Sequence, residues 1–349
     1  MQIYSALFVV FFSLVLGTAI FTFAKKNTAV DRFAFFALSI PIIIFTALRP
    51  EGLSRDDLGY TLILQNLCPS LECKLFIQGS RDWLWLSFMG ILKSFLSDWR
   101  SITTLSAIGC TLKLFVIYKA CTQRVIALAL FLPLIYVQYD MTQMRAGFAM
   151  SWFFLGLYFL VSKHNLAGYG FLSSSFLIHI QSLPSLLVAP LSFANKKYLI
   201  TPIVSAILIA MIYVGFTPSL HVMSQLNIFR VGVESYLEAS AIGAYNNVRV
   251  FPLAYLLLFF YSSLLLWNLD LSKSSLAKYV AGSVLLATLL AWLLTFNPTM
   301  QTRMFDFFIA PIVLLAGNIG NNKVKMIATA LVAIALYGRL ELISNWIIG

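Results

Sequence analysis

The sequence predicts an all-α, polytopic integral membrane protein, and three observations support this fold class. Sixty per cent of the 349 residues are hydrophobic and only 11% are charged, whereas soluble domains are about 25% charged. The mean hydropathy of the chain is +0.88. Apolar stretches of about 15–20 residues, close to the length that crosses a bilayer, recur along the whole chain.

These stretches predict about twelve transmembrane helices (roughly 10–13), which form a single transmembrane domain over residues 1–349. The first stretch lacks the basic start and the cleavage site of a signal peptide, so we expect it to remain as a helix. The expected helices cover residues 3–24, 33–48, 101–118, 125–139, 146–162, 166–180, 183–195, 198–216, 251–269, 279–296, 304–320 and 326–346.

Clusters of lysine and arginine between the apolar stretches predict how the helices are oriented. Short cytoplasmic loops are enriched in these residues. One topology places all the lysine-bearing short loops in the cytoplasm and both termini outside. The net charge of +11 comes from these scattered clusters, a pattern that does not predict nucleic-acid binding. The residues expected inside are Lys25, Lys26, Arg32, Lys119, Arg124, Lys163, Lys196, Lys197, Lys273, Lys278, Lys323 and Lys325.

Two long loops are expected outside, over residues 49–100 and 217–250. In the first loop, residues 82–99 (DWLWLSFMGILKSFLSDW) include Lys93 and Asp98 and carry tryptophans near both ends. This mixture is typical of a helix that lies in the membrane interface. A transmembrane interpretation would also move Lys119 and Lys163 outside, against the positive-inside bias. We therefore expect an interfacial helix at this position.

The stretch 138–184 combines polar residues with two apolar helices. Gln143 and Arg145 stand near the start of the first helix, and His179 stands at the end of the second. Polar groups in so apolar a chain are costly unless they meet water, each other or a ligand. If the two helices form a hairpin, Arg145 and His179 return to the same face of the membrane. The sequence therefore predicts a functional site at this face.

Arginines recur in the expected outer loops, whereas lysines dominate the inner ones. The positive-inside bias does not require outer arginines. A guanidinium group matches phosphate oxygens with paired hydrogen bonds, so the pattern favours a phosphate-bearing ligand. Simpler explanations remain for single residues, because an arginine at a helix end can extend to lipid phosphate and an aspartate can cap a helix.

The four cysteines predict no metal site. Cys110 and Cys121 fall in or beside apolar helices, where a small hydrophobic role is usual. Cys68 and Cys73 share a polar loop and either form a short disulfide or remain free, depending on the compartment that the loop faces.

Four short motifs, taken in chain order, resemble one family of membrane enzymes. They are RDDLGY at 55–60, RDW at 81–83, MRAGFA at 144–149 followed by Ile178, His179 and Ser182, and TRMFDFF at 302–308. This pattern resembles the EpsG-like and Wzy-type polymerases of O-antigen and capsular polysaccharide, and it covers nearly the whole chain. The family often has Arg-Gln-Gly-Leu-Ala where this chain has Arg-Ala-Gly-Phe-Ala, and Glu-Pro-Gly at 81–83.

The resemblance implies a GT-C-like glycosyltransferase of the bacterial inner membrane, with its active site facing the periplasm. It would polymerise oligosaccharide repeat units carried on undecaprenyl diphosphate, without a metal or other cofactor. The implied partners are this substrate, membrane lipid, a chain-length regulator and a flippase. Transfer requires cations around the leaving diphosphate and a general base. The predicted catalytic residues are Arg145, His179, Asp56, Asp57 and Asp140. The general base is expected to be His179 or one of the three aspartates. The predicted substrate-binding residues are Arg303, Arg55, Tyr60, Arg81, Asp82, Gln143, Arg230, Arg249 and Tyr245.

Two alternative functions remain open at the level of sequence. A flippase for the same lipid-linked sugar would place polar residues near the middle of the membrane, whereas the expected helices are almost free of charge apart from Lys113. An O-antigen ligase would need the same donor site, so residue chemistry barely separates it from a polymerase. A membrane acyltransferase is disfavoured because no histidine lies deep in an expected helix.

Overall fold

A computed structural model describes residues 11–19, 28–54, 56–67, 82–194, 200–214, 253–268, 274–295 and 298–318. Within these ranges the regular elements are helices, and no strand occurs. The prediction of an all-α fold is confirmed. Residues 11–19 are helical, and the further α-helices are α1 (Thr28–Leu48), α2 (Asp57–Leu67), α3 (Trp83–Lys93), α4 (Asp98–Ala120), α5 (Arg124–Phe131), α6 (Met144–Val161), α7 (Asn165–Ile178), α8 (Val188–Ala194), α9 (Ile200–Val214), α10 (Leu253–Asn268), α11 (Ser275–Leu293), α12 (Pro298–Ile309) and α13 (Ile312–Ala316).

Four of the described helices, α1, α4, α6 and α11, are long and apolar enough to cross a membrane. With a rise of about 1.5 Å per residue, helices of 18–23 residues are comparable in length to a hydrocarbon core about 30 Å thick. Shorter apolar helices accompany them at Trp83–Lys93, Ile180–Ser192, Ile203–Ile212 and Tyr255–Leu266. The chain is therefore a helical multi-pass membrane protein. The count of about twelve spans stays a prediction, and the span expected at 326–346 lies outside the described residues.

Helices α6 and α7 form the hairpin that the sequence suggested. Residues 162–164 reverse the chain, with Lys163 in the left-handed backbone region at φ 65°. Gly156 and Gly168 allow the two helices to approach closely, since a Cβ on either would lie 2.6 Å from the leucine side chain opposite, Leu172 or Leu160. Small residues serve this purpose between membrane helices because they bring the two backbones together. The hairpin returns its first and last residues to the same end.

The segment before α6 is not the regular helix expected over 125–139. Helix α5 runs to Phe131 and continues as a π-helix over Leu132–Asp140. The wider turns persist just beyond, where the amides of Met141 and Gln143 bond to the carbonyls five residues earlier. Pro133 near the start of this segment cannot donate a backbone hydrogen bond, which favours a departure from regular α geometry.

Two further expectations about helices were wrong in their boundaries. The helix expected over 183–195 begins as a 3₁₀ helix, Ile180–Leu187, and becomes α-helical only at Val188. The helix expected over 304–320 starts earlier, at Pro298, and ends at Ile309, before a break at Pro311. A proline is well suited to the first turn of a helix and breaks its interior. Arg303 consequently lies within α12 rather than in a loop.

The stretch 82–99 is divided into two helices. Helix α3 has eleven residues, or about 16 Å of length, and a turn over 94–97 separates it from α4. Trp85 and Leu86 of α3 are buried, whereas Trp83 and Ile91 are exposed. The helix is too short to cross a bilayer, and its position in the membrane interface stays a prediction.

Candidate functional site

A cavity of about 260 Å³ lies where several helix ends meet. Its walls come from the start of α2, the start of α6, the segment after α7, and α12. Its lining includes three predicted site residues from widely separated parts of the sequence: Arg145, His179 and Arg303. The lining residues are Asp56, Gly59, Tyr60, Ile63, Gln143, Arg145, Ala146, His179, Gln181 and Arg303.

Arg145 lies in the first turn of α6, and its side chain packs against two aromatic rings. Its guanidinium carbon is 5.6 Å from the ring centres of both Tyr60 and Trp85. Such cation–π contacts restrain the group while leaving its N–H donors available at the edge. Its Nη1 donates to Asp82 Oδ2 at 2.6 Å, and the side chain is 29% exposed. Arg145 is therefore restrained and still open to the cavity.

Asp82 connects Arg145 to the histidine. Its Oδ2 accepts from Arg145, and its Oδ1 lies 3.6 Å from His179 Nδ1. Burial favours the neutral acid, but the facing His179 ring and the Arg145 guanidinium outweigh burial and hold the pKa of Asp82 below its usual value. Asp82 is not among the residues that line the cavity, but its carboxylate contacts Arg145 and faces His179, which do line it.

His179 directly follows α7 and caps its C-terminus in an extended backbone conformation. Its carbonyl accepts from both the amide and the hydroxyl of Ser182, which fixes the turn into the 3₁₀ helix. Its Nε2 lies 3.2 Å from Gln181 Oε1, and its Nδ1 faces Asp82. The imidazole thus has one nitrogen directed at an anion and the other at a neutral amide, an arrangement that suits a general base.

A buried ion pair supports the turn that carries Arg145. Lys113, inside α4, donates at 2.7 Å to Asp140 Oδ1 and at 2.7 Å to the carbonyl of Gly147. The Asp140 carbonyl also accepts from the Ser106 hydroxyl at 2.8 Å. Gly147 has no space for a side chain, because a Cβ would collide with the carbonyl of Tyr139. The glycine of the MRAGFA motif therefore permits the close contact between α6 and the π-helix.

A second buried ion pair also contacts the turn before α6. Arg49 and Asp57 are fully buried and lie 2.5 Å apart. Arg49 also donates to the carbonyl of Met141 at 2.6 Å, and its guanidinium carbon lies 5.0 Å from the ring centre of Trp99. Burial outweighs the charge of Arg49 and raises the pKa of Asp57 above its usual value. Asp57 and Asp140, both predicted as catalytic, lie beneath the site in ion pairs and do not line the cavity.

Arg303 reaches the cavity from α12. Its backbone carbonyl accepts from the Tyr139 hydroxyl at 2.9 Å, which attaches α12 to the end of the π-helix. One turn further along, Asp306 is buried and accepts from the Tyr255 hydroxyl of α10 at 3.1 Å. Helix α12 is thus held on two sides next to the turn that carries Arg145.

The remaining predicted residues divide into two groups. Asp56, Tyr60 and Gln143 line the cavity, and the Tyr60 hydroxyl lies 3.5 Å from the Arg145 amide. Burial outweighs the charge of Arg145 and raises the pKa of Tyr60 above its usual value, so it serves as a neutral hydrogen-bonding group. The other group, Arg55, Arg81, Arg230, Tyr245 and Arg249, lies outside the described residues.

Sequence reasoning missed three contributors. Gln181 lines the cavity beside His179, and a polar residue between two apolar helices was the available signal. Lys113 and Arg49 hold the turn around Asp140 and Met141. A lysine in the middle of an apolar stretch and an arginine directly after one indicated buried partners, although nothing in the sequence named them. Among the described residues no cluster of three His, Cys, Asp or Glu side chains could hold a metal ion.

Comparison with known proteins gave one finding. A family model described as the EpsG family matches residues 32–342, nearly the whole chain. Neither the curated proteins nor the solved structures contain a match.

The Lys113–Asp140 pair yields a prediction about stability. Lys113→Met leaves the Asp140 carboxylate buried without its cation and should destabilise the protein by about 3–5 kcal/mol, measured by unfolding in detergent. The double variant Lys113→Met/Asp140→Leu should recover part of that loss, because neither charge remains.

The matched control is Lys93→Met, which breaks the more exposed Lys93–Asp98 pair. That change should cost less than about 1 kcal/mol. Equal losses for Lys113→Met and Lys93→Met would contradict a supporting role for the buried pair.

Proposed function

This chain belongs to the EpsG family, and we propose that it is a glycosyltransferase that polymerises oligosaccharide repeat units linked to a polyprenyl diphosphate. The family is polysaccharide-polymerase-like, and the helical multi-pass architecture suits an enzyme whose substrate is held in the membrane. The undecaprenyl diphosphate carrier, the GT-C architecture and the roles of individual residues are parts of the proposal.

The observation that carries the proposal is the set of groups around one cavity. Arg145 and Arg303 come from helices far apart in the sequence, and His179 completes the set. Diphosphate is an anion with several oxygens, and guanidinium groups bind it through paired, charge-assisted hydrogen bonds. A cavity that combines two arginines with an imidazole supplies both functions that the transfer needs.

The proposed reaction breaks the bond between a sugar C1 and the diphosphate oxygen, and the electron pair leaves with the diphosphate. The hydroxyl oxygen of the acceptor sugar forms the new bond to C1 and loses its proton to the base. Arg145 and Arg303 stabilise the charge that develops on the leaving diphosphate. Tyr60, Gln143 and Gln181 offer neutral groups for sugar hydroxyls.

We propose His179 as the base, with Asp56 as the alternative, because both line the cavity. Imidazole is the side chain that most readily takes up and releases a proton near neutral pH. Asp57 and Asp140 are occupied by Arg49 and Lys113, so we assign them to support of the site rather than to proton transfer.

The proposal places the cavity on the periplasmic face of the bacterial inner membrane, with residues 49–100 and 217–250 in outer loops. Lipid-linked substrate would reach the site from the bilayer, and a flippase and a chain-length regulator would act before and alongside the enzyme. A flippase function for this chain is less well supported, because the buried charge of Lys113 is already bonded to Asp140 and Gly147.

Deletion of the gene tests the function directly. We expect surface glycan from the deletion strain to migrate as core carrying a single repeat unit, because repeats are made and attached but not joined. Bare core would instead indicate a ligase or a flippase, and long chains of normal length would refute the polymerase. Reintroduction of the wild-type gene should restore the ladder.

Variants of the cavity residues test the mechanism in purified protein supplied with lipid-linked repeat units. Arg145→Ala should lose about 2–4 kcal/mol of transition-state stabilisation, and Arg145→Lys should also be impaired because lysine lacks the planar fork. His179→Ala should still bind the donor but slow transfer by roughly 10²–10⁴-fold.

Arg100→Ala is the matched control, since Arg100 is exposed and its side chain bonds only to the Ala47 carbonyl among the described contacts. Normal chain growth by Arg145→Ala would mean that Arg145 merely extends to lipid phosphate. Normal growth by His179→Ala would move the base to Asp56.

Cysteine labelling tests the orientation. In a cysteine-free background, Ser94→Cys should react with a membrane-impermeant maleimide in intact spheroplasts, whereas Ser162→Cys should not. Both serines are exposed and lie in turns, at opposite ends of the hydrophobic helices, so accessibility alone does not separate them. The reverse labelling pattern would invert the proposed topology.

A further inference from the structure

We propose that Asp82 is a positioning residue that couples diphosphate binding to the activation of His179. In the unliganded site its carboxylate holds Arg145; when a diphosphate takes over that arginine, the carboxylate turns to the histidine and raises its affinity for a proton. The inference rests on the proposed function and deepens it, because it assigns a regulatory step to the same cavity.

The first support is the position of Asp82 between two cavity residues. It stands directly before α3, with a side chain that is 12% exposed. One carboxylate oxygen lies 2.6 Å from Arg145 Nη1, and the other lies 3.6 Å from His179 Nδ1. Asp82 is not among the described residues that line the cavity, whereas these two neighbours are, so we expect it to act on the substrate through them.

The second support is an incomplete set of hydrogen bonds at this point. Asp82 Oδ1 and His179 Nδ1 are both buried and have no hydrogen-bond partner within the usual distance, although they face each other. Buried polar atoms are nearly always bonded. A closure from 3.6 Å to about 2.8 Å, the length of a charge-assisted bond, would satisfy both atoms at once. Arg145 Nε is likewise buried without a partner, so a ligand in the cavity meets the guanidinium through its two Nη groups.

The third support is competition for the guanidinium. A diphosphate carries more negative charge than one carboxylate and offers more acceptor oxygens. Because Arg145 Nε is buried, a diphosphate that forms paired bonds uses the two Nη groups, and Nη1 is the group that Asp82 now holds. The diphosphate therefore displaces Asp82 from Arg145. His179 is then the cation-forming group that remains beside Asp82. The other titratable groups that line the cavity are Asp56, Tyr60 and Arg303.

The proton then has a defined route. When His179 donates its Nδ1–H to Asp82, the lone pair of the imidazole is on Nε2. Gln181 lies beside Nε2 and presents its amide oxygen or, after rotation of the amide, its N–H group. Nε2 takes the acceptor hydroxyl proton as the C1–diphosphate bond breaks and the new C1–oxygen bond forms. After the lipid diphosphate leaves, Arg145 returns to Asp82 and His179 releases its proton to water. The base is therefore strongest only while a donor occupies the site.

The test compares Asp82→Asn with Asp98→Asn in full-length protein in detergent. Undecaprenyl diphosphate binding is measured by calorimetry, and turnover is measured with lipid-linked repeat units. The amide in Asp82→Asn keeps the shape of the carboxylate but not its charge, so we expect binding to tighten by roughly two- to fivefold, the scale of one partly exposed ion pair. Turnover should fall by about 10–100-fold, as for other residues that orient a catalytic group. Asp98, which pairs with Lys93 away from the cavity, should affect neither quantity.

Two further variants separate coupling from simple structural support. Asp82→Glu keeps the charge and should recover most of the turnover lost in Asp82→Asn. In a His179→Ala background, Asp82→Asn should cause no additional loss of turnover, because both changes remove the same base.

Weaker binding together with slower turnover in Asp82→Asn, unchanged values for both, or loss of folding in Asp82→Asn but not in Asp82→Glu would each overturn the coupling. If wild-type protein binds no undecaprenyl diphosphate, the proposed function itself fails, and that result is distinct from any outcome for Asp82.

Discussion

The arrangement of the site depends on one buried contact, the ammonium group of Lys113 between the Asp140 carboxylate and the Gly147 carbonyl. A charge at this depth is stable only with an anionic partner and complete hydrogen bonding. The contact joins three helical segments, because Lys113 belongs to α4, Asp140 ends the π-helix and Gly147 lies in α6. The segment between Asp140 and Gly147 carries Gln143 and Arg145, so the buried Lys113 contact determines the position of Arg145 in the cavity wall.

Two layers of charge serve different purposes in this protein. The deeper layer consists of Lys113–Asp140 and Arg49–Asp57, both fully buried and both directed at the backbone of the same turn. The upper layer consists of Arg145, Asp82 and His179, which are partly exposed and have unused hydrogen-bonding atoms. Burial holds the two ion pairs of the deeper layer in place, whereas Arg145 in the upper layer is open to the cavity and can exchange partners with a ligand.

The sequence predicted the fold class and the grouping of Arg145 with His179 because both follow from the length and order of the apolar stretches. Apolar stretches of membrane length identify helices, and a hairpin brings its two ends together. The partners of Lys113 could not be read in the same way, since a buried ion pair links residues 27 positions apart through packing. The π-helix was also hidden, because residues 132–137 are all apolar and a change of helical period leaves no mark in so uniform a pattern. Pro298 and Pro311 were visible signals for the true bounds of α12, yet hydropathy outweighed them in the prediction.

The π-helix has a consequence for how the length of this segment is constrained. Its wide turns accommodate one residue more than an α-helix of the same rise, and deletion of one residue is the simplest route back to regular geometry. A return to α geometry takes up the deleted residue locally, so the helices on either side keep their phase. The same deletion in the regular turns of α6 would instead rotate every residue beyond it by about 100°. The segment can therefore lose one residue where its turns are wide, but not where they are regular.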